Sequence, residues 1–214
     1  MVKIIREGKK IIYSAGEVGI AVSQIIAYIF LSRILRYFFR ADRRVSQTIN
    51  QLRRGSLIVS NHQSVLDPFI ILAHLPFRSL LKVIPVRFPT SHEYYKYLRF
   101  LAFLGSYDIG AGNRERMLGL FRTRNFLIEG KSVMIFPEGK ICTGGEMLDF
   151  QKGIGFLTDV SANTVFVKME GFYRKDWLKI QAPRGVIFSE VQCFNGEQED
   201  AENIRMLIKQ LSVN

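Results

Sequence analysis

The chain has 214 residues, and its 30 Lys and Arg against 19 Asp and Glu leave a formal net charge of +11. That length suits one domain with its own core, and 48% hydrophobic with 23% charged residues excludes a disordered, collagenous or coiled-coil chain. Two cysteines, Cys142 and Cys193, exclude a disulfide scaffold and a four-cysteine zinc site, and suit a reducing, cytosol-facing location. The basic excess calls for an anionic partner. Zinc-finger spacing, an RNP aromatic pattern and a basic zipper are all missing, so a membrane surface is expected rather than nucleic acid.

Residues 18–39 read VGIAVSQIIAYIFLSRILRYFF. Residues 18–32 are uncharged, short of the roughly 20 needed to span hydrocarbon, and the extension to 39 brings in Arg33 and Arg36. On a helix Arg33, Arg36 and Arg40 form one stripe at i, i+3 and i+7. The upper half is apolar all round and the lower half amphipathic, the pattern of a helix dipping into a leaflet with its arginines among lipid phosphates. A core helix, a signal peptide and a single span share parts of that pattern. No small-residue cleavage site follows, and both flanks are basic, which places both on the cytoplasmic side most simply. Residues 1–40 are therefore expected to be a membrane-associated helical segment, and residues 41–214 a separate folded domain facing the cytoplasm.

Along the remainder, SLIVS at 56–60 is a buried strand, followed by a helix over 64–74 with Ser64 as its N-cap. LKVIPV at 81–86 is expected as the next strand, with a turn at Pro89. A helix over 92–104 closes at Gly105, and 106–113 form a short strand and a glycine turn. Asn113 caps a helix over 114–128, with Met117, Leu118, Phe121 and Leu127 on its apolar face. SVMIF at 132–136 is another strand; a loop to Phe150, a helix near 152–161, strands near 164–170 and 184–189, and a helix over 200–211 complete the chain. Alternating strands and helices predict an α/β fold: a mostly parallel central sheet covered by helices on both faces, behind an N-terminal membrane-binding helix.

Ligands in such sheets sit beyond the C-terminal strand ends. Two apolar strands run straight into polar loops: SLIVS into NHQSVLD, and SVMIF into PEGK. His62 and Asp67 lie five residues apart, about 140° from one another on a helix, so they meet only if His62 is in the loop and Asp67 in the first turn. A carboxylate on one imidazole nitrogen fixes the tautomer, and the other can take a proton from a hydroxyl. Alone, the pair fits a packing or capping histidine and a helix-dipole aspartate better than a catalytic pair. The second loop, Pro137-Glu138-Gly139-Lys140, combines a carboxylate, a flexible backbone and a cation, and alone equally fits an ordinary turn.

The two blocks together resemble the glycerolipid acyltransferase family, which includes the lysophosphatidic acid acyltransferases. Asn61, His62, Ser64 and Asp67 match its NHxSxxD block, and Phe136, Pro137, Glu138 and Gly139 match FPEG. Phe150, Lys152 and Gly153 look like its F-x-x-G segment, and 165–171 its last strand without the usual proline. The resemblance implies a membrane-associated acyltransferase similar to the 1-acylglycerol-3-phosphate O-acyltransferases. Such an enzyme moves a fatty acyl group from acyl-CoA or acyl carrier protein to a glycerolipid acceptor hydroxyl, making phosphatidic acid in phospholipid biosynthesis. It implies His62 as general base oriented by Asp67, Asn61, Ser64, Pro137, Glu138, Gly139 and Lys140 at the substrate, and no metal or cofactor. Two arginines of the family pattern are missing: the block after Gly139 reads Lys140-Ile141-Cys142, and Ala111 stands where an arginine is expected. An acceptor phosphate is then expected on Lys140 with Arg114. The drift leaves a second reading, a non-catalytic lipid-binding or membrane-scaffold protein that keeps the fold.

Overall fold

The computed structural model describes residues 15–39, 42–142, 146–172, 184–194 and 200–211. Seven strands form one sheet in the order β1-β7-β6-β2-β5-β3-β4. They are β1 (Asp42–Val45), β2 (Ser56–Ser60), β3 (Val86–Thr90), β4 (Ser106–Asp108), β5 (Ser132–Ile135), β6 (Asn163–Glu170) and β7 (Gly185–Phe188). All neighbours run parallel except β6 and β7. The helices are α1 (Ala15–Phe39), α2 (Asp67–His74), α3 (Phe77–Val83), α4 (His92–Tyr97), α5 (Asn113–Ile128), α6 (Gly155–Thr158) and α7 (Ala201–Gln210). The mostly parallel, two-sided α/β architecture expected from the sequence is the one observed.

Side-chain alternation along the central strands builds two cores. Ile58, Met134, Val165 and Val167 face one side, where Ile70 and Ile71 of α2 and Leu80 and Val83 of α3 cover them. Leu57, Val59, Val133, Ile135 and Phe166 face the other, under Leu127 of α5, Leu157 of α6 and Ile204 and Ile208 of α7. Strands covered on both faces carry no polar alternation, which is why SLIVS and SVMIF stand out as short apolar runs.

Several expected elements shift. α2 starts at Asp67 rather than Ser64. Ser64 instead closes the turn before it: its Oγ accepts from Leu66 N at 3.0 Å and its carbonyl from Asp67 N at 3.1 Å. The strand expected over 81–86 is replaced by α3 and a later β3. Leu80 and Val83 are buried while Leu81 and Lys82 are exposed, a helical spacing. Pro89 lies inside β3, not in a turn. The β4 ladder flanks it, with Phe88 N donating to Gly105 O and Ile109 N to Thr90 O, both at 3.1 Å, so the amide proline lacks is one this ladder does not use. The helix expected over 92–104 breaks at Leu98 into α4 and a 3₁₀ segment, Arg99–Leu104. β1 was not foreseen at all.

The apolar face expected for α5 is also wrong. Met117, Leu118 and Phe121 are exposed, and the buried positions are Gly119, Thr123 and Leu127, at i, i+4 and i+8. The cause is close packing: a Cβ on Gly119 would lie 2.6 Å from Ile109 Cγ1 and 2.7 Å from Ile109 O. Small residues let α5 down onto the β4 loop, where Thr123 Oγ1 and Tyr107 Oη lie 2.5 Å apart in a hydrogen bond.

The N-terminal helix is not a detached appendage. α1 packs on α2 and on the 3₁₀ segment, and Ala21, Ile25, Tyr28 and Leu35 join the first core. Gln24 is buried; its Nε2 donates to Val86 O at 2.6 Å and Leu104 O at 2.8 Å, while its Oε1 accepts from Val86 N at 2.9 Å. The adjacent Gly105 (φ 99°) must be glycine, since a Cβ there would meet Val86 O at 2.2 Å. Glu17, also buried, pairs with Arg87 at 2.5 Å and Lys131 at 3.2 Å. Arg36 donates to Ala73 O near the C-terminal end of α2. The outward face is mainly apolar: Val18, Val22, Ile26, Ile29, Phe30 and Ile34 are exposed, with Arg33 among them near the C-terminal end. Over Gly16–Tyr37 the helix is long and apolar enough to cross a membrane, and only 17% of its most apolar window is buried.

Candidate active site

β2 and β5 are hydrogen-bonded neighbours, so the loops at their C-terminal ends emerge side by side. Loop 61–66 is held from below by two amides. Asn61 Nδ2 donates to Met169 O at 2.9 Å and its Oδ1 accepts from Met169 N at 2.7 Å. Gln63 Nε2 donates to the same carbonyl at 2.7 Å, and its Oε1 accepts from Phe172 N at 2.9 Å. Both side chains are buried, as is that of Ser64, so Asn61 and Ser64, read from the sequence as substrate contacts, brace the loop from within.

That bracing lets the chain turn between His62 and Asp67. His62 Nδ1 lies 2.8 Å from Asp67 Oδ2. The same oxygen accepts from Gln63 N at 2.6 Å and Ser64 N at 2.9 Å. Asp67 is wholly buried at the first turn of α2, where the helix dipole also favours its charge. An oxygen collecting two amide protons accepts the third as well, so Nδ1 carries the proton and Nε2 keeps a free lone pair. The Phe136 ring stacks on the imidazole at 4.3 Å between centroids and 20° between planes, restricting its rotation.

Glu138 ties the second loop to the first. It is buried; Oε1 accepts from His62 N at 2.8 Å and Oε2 from Leu148 N at 2.9 Å. Burial pushes its carboxyl above the usual range, against the two amide bonds that favour the ionised form. Both oxygens are engaged, so Glu138 shapes the loops rather than reaching toward a ligand. Pro137 O accepts from Gln151 N at 2.9 Å, and Cys142 N donates to His62 O at 2.8 Å. Cys142 is a buried thiol that donates to Glu146 O, as a packing residue would. Gly139 turns the loop at φ 68°.

A cavity of about 420 Å³ opens beside the imidazole. His62, Phe136, Pro137, Gly139, Lys140 and Ile141 line its catalytic end. Its walls are otherwise mainly apolar, from Val65 and Phe69 past Phe88 and Leu101 to Leu120, Ile154 and Leu157. Gly153 lies close under Leu120 at one wall, where a Cβ would come within 2.8 Å of Leu120 Cδ2 and push that side chain aside. Of the expected cations, Lys140 lines the cavity and Arg114 does not; Arg116 does. Two residues on a helix differ by about 200°, so Arg114 and Arg116 point to opposite sides of α5. Arg116, Gln63 and the Leu148 amide were missed in the sequence. Among the described residues, no group of three or more His, Cys, Asp or Glu is placed to hold a metal.

The arrangement is a histidine held by a buried carboxylate in the wall of a mainly apolar cavity that two cations also line. That is a base for removing a hydroxyl proton beside a slot for hydrocarbon. The crystal structure of the 1-acyl-sn-glycerophosphate (LPA) acyltransferase PlsC from Thermotoga maritima has the same fold, with a TM-score of 0.64 over 87% of this chain and 77% of that one, at 18% identity. A family model described as Acyltransferase matches residues 42–167, from β1 through both loops and into β6. With more than half of its length matched, including the His62–Asp67 pair and the Glu138 loop, the chain belongs to the Acyltransferase family.

Proposed function

We propose that the protein transfers a fatty acyl group from a thioester of coenzyme A or acyl carrier protein to a glycerolipid hydroxyl, with 1-acylglycerol-3-phosphate as acceptor and phosphatidic acid as product. The observation that carries this is the His62–Asp67 pair, with its imidazole lining the mainly apolar cavity. The acceptor hydroxyl attacks the thioester carbonyl while its proton passes to His62 Nε2. The tetrahedral intermediate collapses, the C–S bond breaks, and the thiolate takes the proton back from the imidazolium. Asp67 holds the imidazole in the tautomer this requires and offsets its transient charge. The acyl chain lies along the apolar walls. Lys140 and Arg116, on the same wall system, hold the acceptor phosphate in place of the two missing arginines.

The outward apolar face of α1 supports action at a membrane, and the cytoplasmic placement of the sheet domain rests on the basic residues on both flanks of the apolar stretch in the sequence. The PlsC neighbour, an LPA acyltransferase, fits the same acceptor class. The drifted cations favour a second reading, lipid binding without catalysis. Acyl transfer from acyl-CoA and from acyl carrier protein to lysophosphatidate, wild type against His62→Ala, separates the two. General-base loss reduces turnover about a hundredfold to ten-thousandfold. Wild-type protein that binds lysophosphatidate but transfers nothing from either donor supports the scaffold.

A further inference from the structure

We propose that α4 and the following 3₁₀ segment form a second lipid-contacting face, an aromatic and basic shelf that seats the cavity mouth on an anionic bilayer. Tyr94, Tyr97, Phe100 and Phe103 are all at least half exposed, Tyr97 at 77% and Phe103 at 72%. Four large aromatic side chains within ten residues, left in water, are a costly surface for a soluble domain. Two exposed cations, Lys96 and Arg99, stand among them against one exposed acid, Glu93. Lys96 Nζ lies 5.1 Å from the Tyr97 ring centre. Aromatic rings interleaved with cations are the composition that settles at the headgroup level of a bilayer carrying anionic lipid.

The position of the shelf identifies the partner. On one side the 3₁₀ segment packs against α1, and Gln24 of α1 donates to Leu104 O at its end. The shelf therefore adjoins α1, whose own outward residues Val22, Ile26, Ile29 and Phe30 are exposed. On the other side α4 and the residue after it border the cavity through Tyr94 and Leu98, and Arg116 and Met117 of α5 line the same cavity. Met117 and its neighbour Leu118 are exposed as well. A lipid surface that meets α1 and the shelf together reaches the cavity rim, so an acyl chain passes from bilayer to cavity without crossing open water. This inference rests on the membrane reading of α1 above and adds a second contact to it.

The test is depth-dependent quenching of tryptophan in full-length protein. Trp177, the one native tryptophan, is replaced by Phe in every variant. Single tryptophans are then placed by Phe103→Trp and Tyr97→Trp on the shelf, Ile29→Trp on α1 and Met206→Trp on the exposed side of α7. Each is reconstituted with mixed phosphatidylcholine and phosphatidylglycerol bearing brominated acyl chains. The expected result is blue-shifted emission and bromine quenching for the shelf and α1 positions, with none at 206. Quenching at 29 together with shelf positions no more quenched than 206 overturns the shelf and leaves the membrane reading of α1 standing. No quenching at 29 or on the shelf overturns both. A blue shift at 103 that grows with protein concentration and ignores bromine assigns the patch to self-association and also overturns the proposal.

Discussion

Replacing Asp67 by asparagine separates the two things the carboxylate does. In many catalytic pairs the amide turns its NH₂ toward the histidine and reverses the tautomer. Here that rotation would also set the NH₂ against Gln63 N and Ser64 N, now 2.6 Å and 2.9 Å from Oδ2, giving two donor–donor clashes. The amide is therefore held with its carbonyl toward all three donors, and Nδ1 of His62 keeps its proton. What is lost is charge. A hydrogen bond to an ionised acceptor exceeds a neutral one by about 1 kcal/mol, so three of them cost about 3 kcal/mol of stability. The new NH₂ falls where Oδ1 now lies buried without a partner among the described residues, which adds about 1–3 kcal/mol. Turnover loses the stabilisation of one contact, about 1.4 kcal/mol, or tenfold. The expected outcome is a large fall in the urea midpoint with only about a tenfold fall in kcat, against the hundredfold or greater loss for His62→Ala. Turnover is normalised to the folded fraction measured by circular dichroism. A folded Asp67→Asn protein as inactive as His62→Ala would mean that the tautomer did reverse, and the argument from the two backbone amides fails.

Three further outcomes follow from the same geometry. Lys140→Ala and Arg116→Ala each lower kcat/KM for lysophosphatidate about tenfold or more, with little change for monoacylglycerol or the donor, whereas Arg114→Ala, off the cavity, changes neither; equal effects at 114 and 116 in a two-acceptor assay would sink the phosphate assignment. Glu138→Gln puts an NH₂ against one of the two amides the carboxylate accepts and destabilises by about 1–3 kcal/mol. Because burial raises the Glu138 pKa, its contribution is fullest below the ordinary 4.5 and declines as pH rises through the raised value. The gap in melting temperature between wild type and Glu138→Gln is thus widest at acid pH; a gap that widens toward neutral pH contradicts the sign. Gly119→Ala forces a Cβ onto Ile109 and lowers stability by about 1–3 kcal/mol, read from the urea midpoint, with an unchanged midpoint refuting the close approach of α5.

The elements legible in the sequence are those whose neighbours impose a pattern. β2 and β5 are buried on both faces and read as apolar runs, and the break between His62 and Asp67 was forced by their spacing. β1 was illegible because Asp42–Val45 is an edge strand paired only with β7, with Arg43 and Arg44 exposed. β3 was misplaced because the apolar run 81–86 has a strand's composition although its first residues belong to α3, and because Pro89 reads as a turn where the β4 ladder bypasses it. The Met117, Leu118 and Phe121 stripe looked like a core face because the sequence does not show that Gly119 brings α5 too close to Ile109 for large residues to lie beneath. Choosing Arg114 over Arg116 required the rotational setting of α5 against the cavity, which no local pattern carries. Glu138 could be read as a ligand contact or a loop brace until Leu148 N, ten residues on, was seen to occupy its second oxygen.

The apolar stretch before residue 40 was the harder ambiguity, since a core helix and a membrane helix share one composition. The arrangement around α1 bears on the choice. A helix that serves a water-soluble core turns its apolar stripe inward and its polar residues out. In α1 the most deeply buried residues are Glu17, Gln24 and Ser32, while Phe30, Ile29 and Ile26 point away from the domain. Two of these inward polar groups have protein work: Glu17 meets two cations, and Gln24 satisfies backbone groups of β3 and the 3₁₀ segment that would otherwise be stranded where α1 covers them. Replacing Gln24 by an apolar residue would leave those groups unpaired, whereas replacing Phe30 by a polar one would remove nothing that holds the domain together. Bulky apolar groups on the face that adds little to internal packing are what the proposed membrane contact calls for, and the hydrogen bonds on the opposite face set the orientation of α1 relative to the cavity lined by His62.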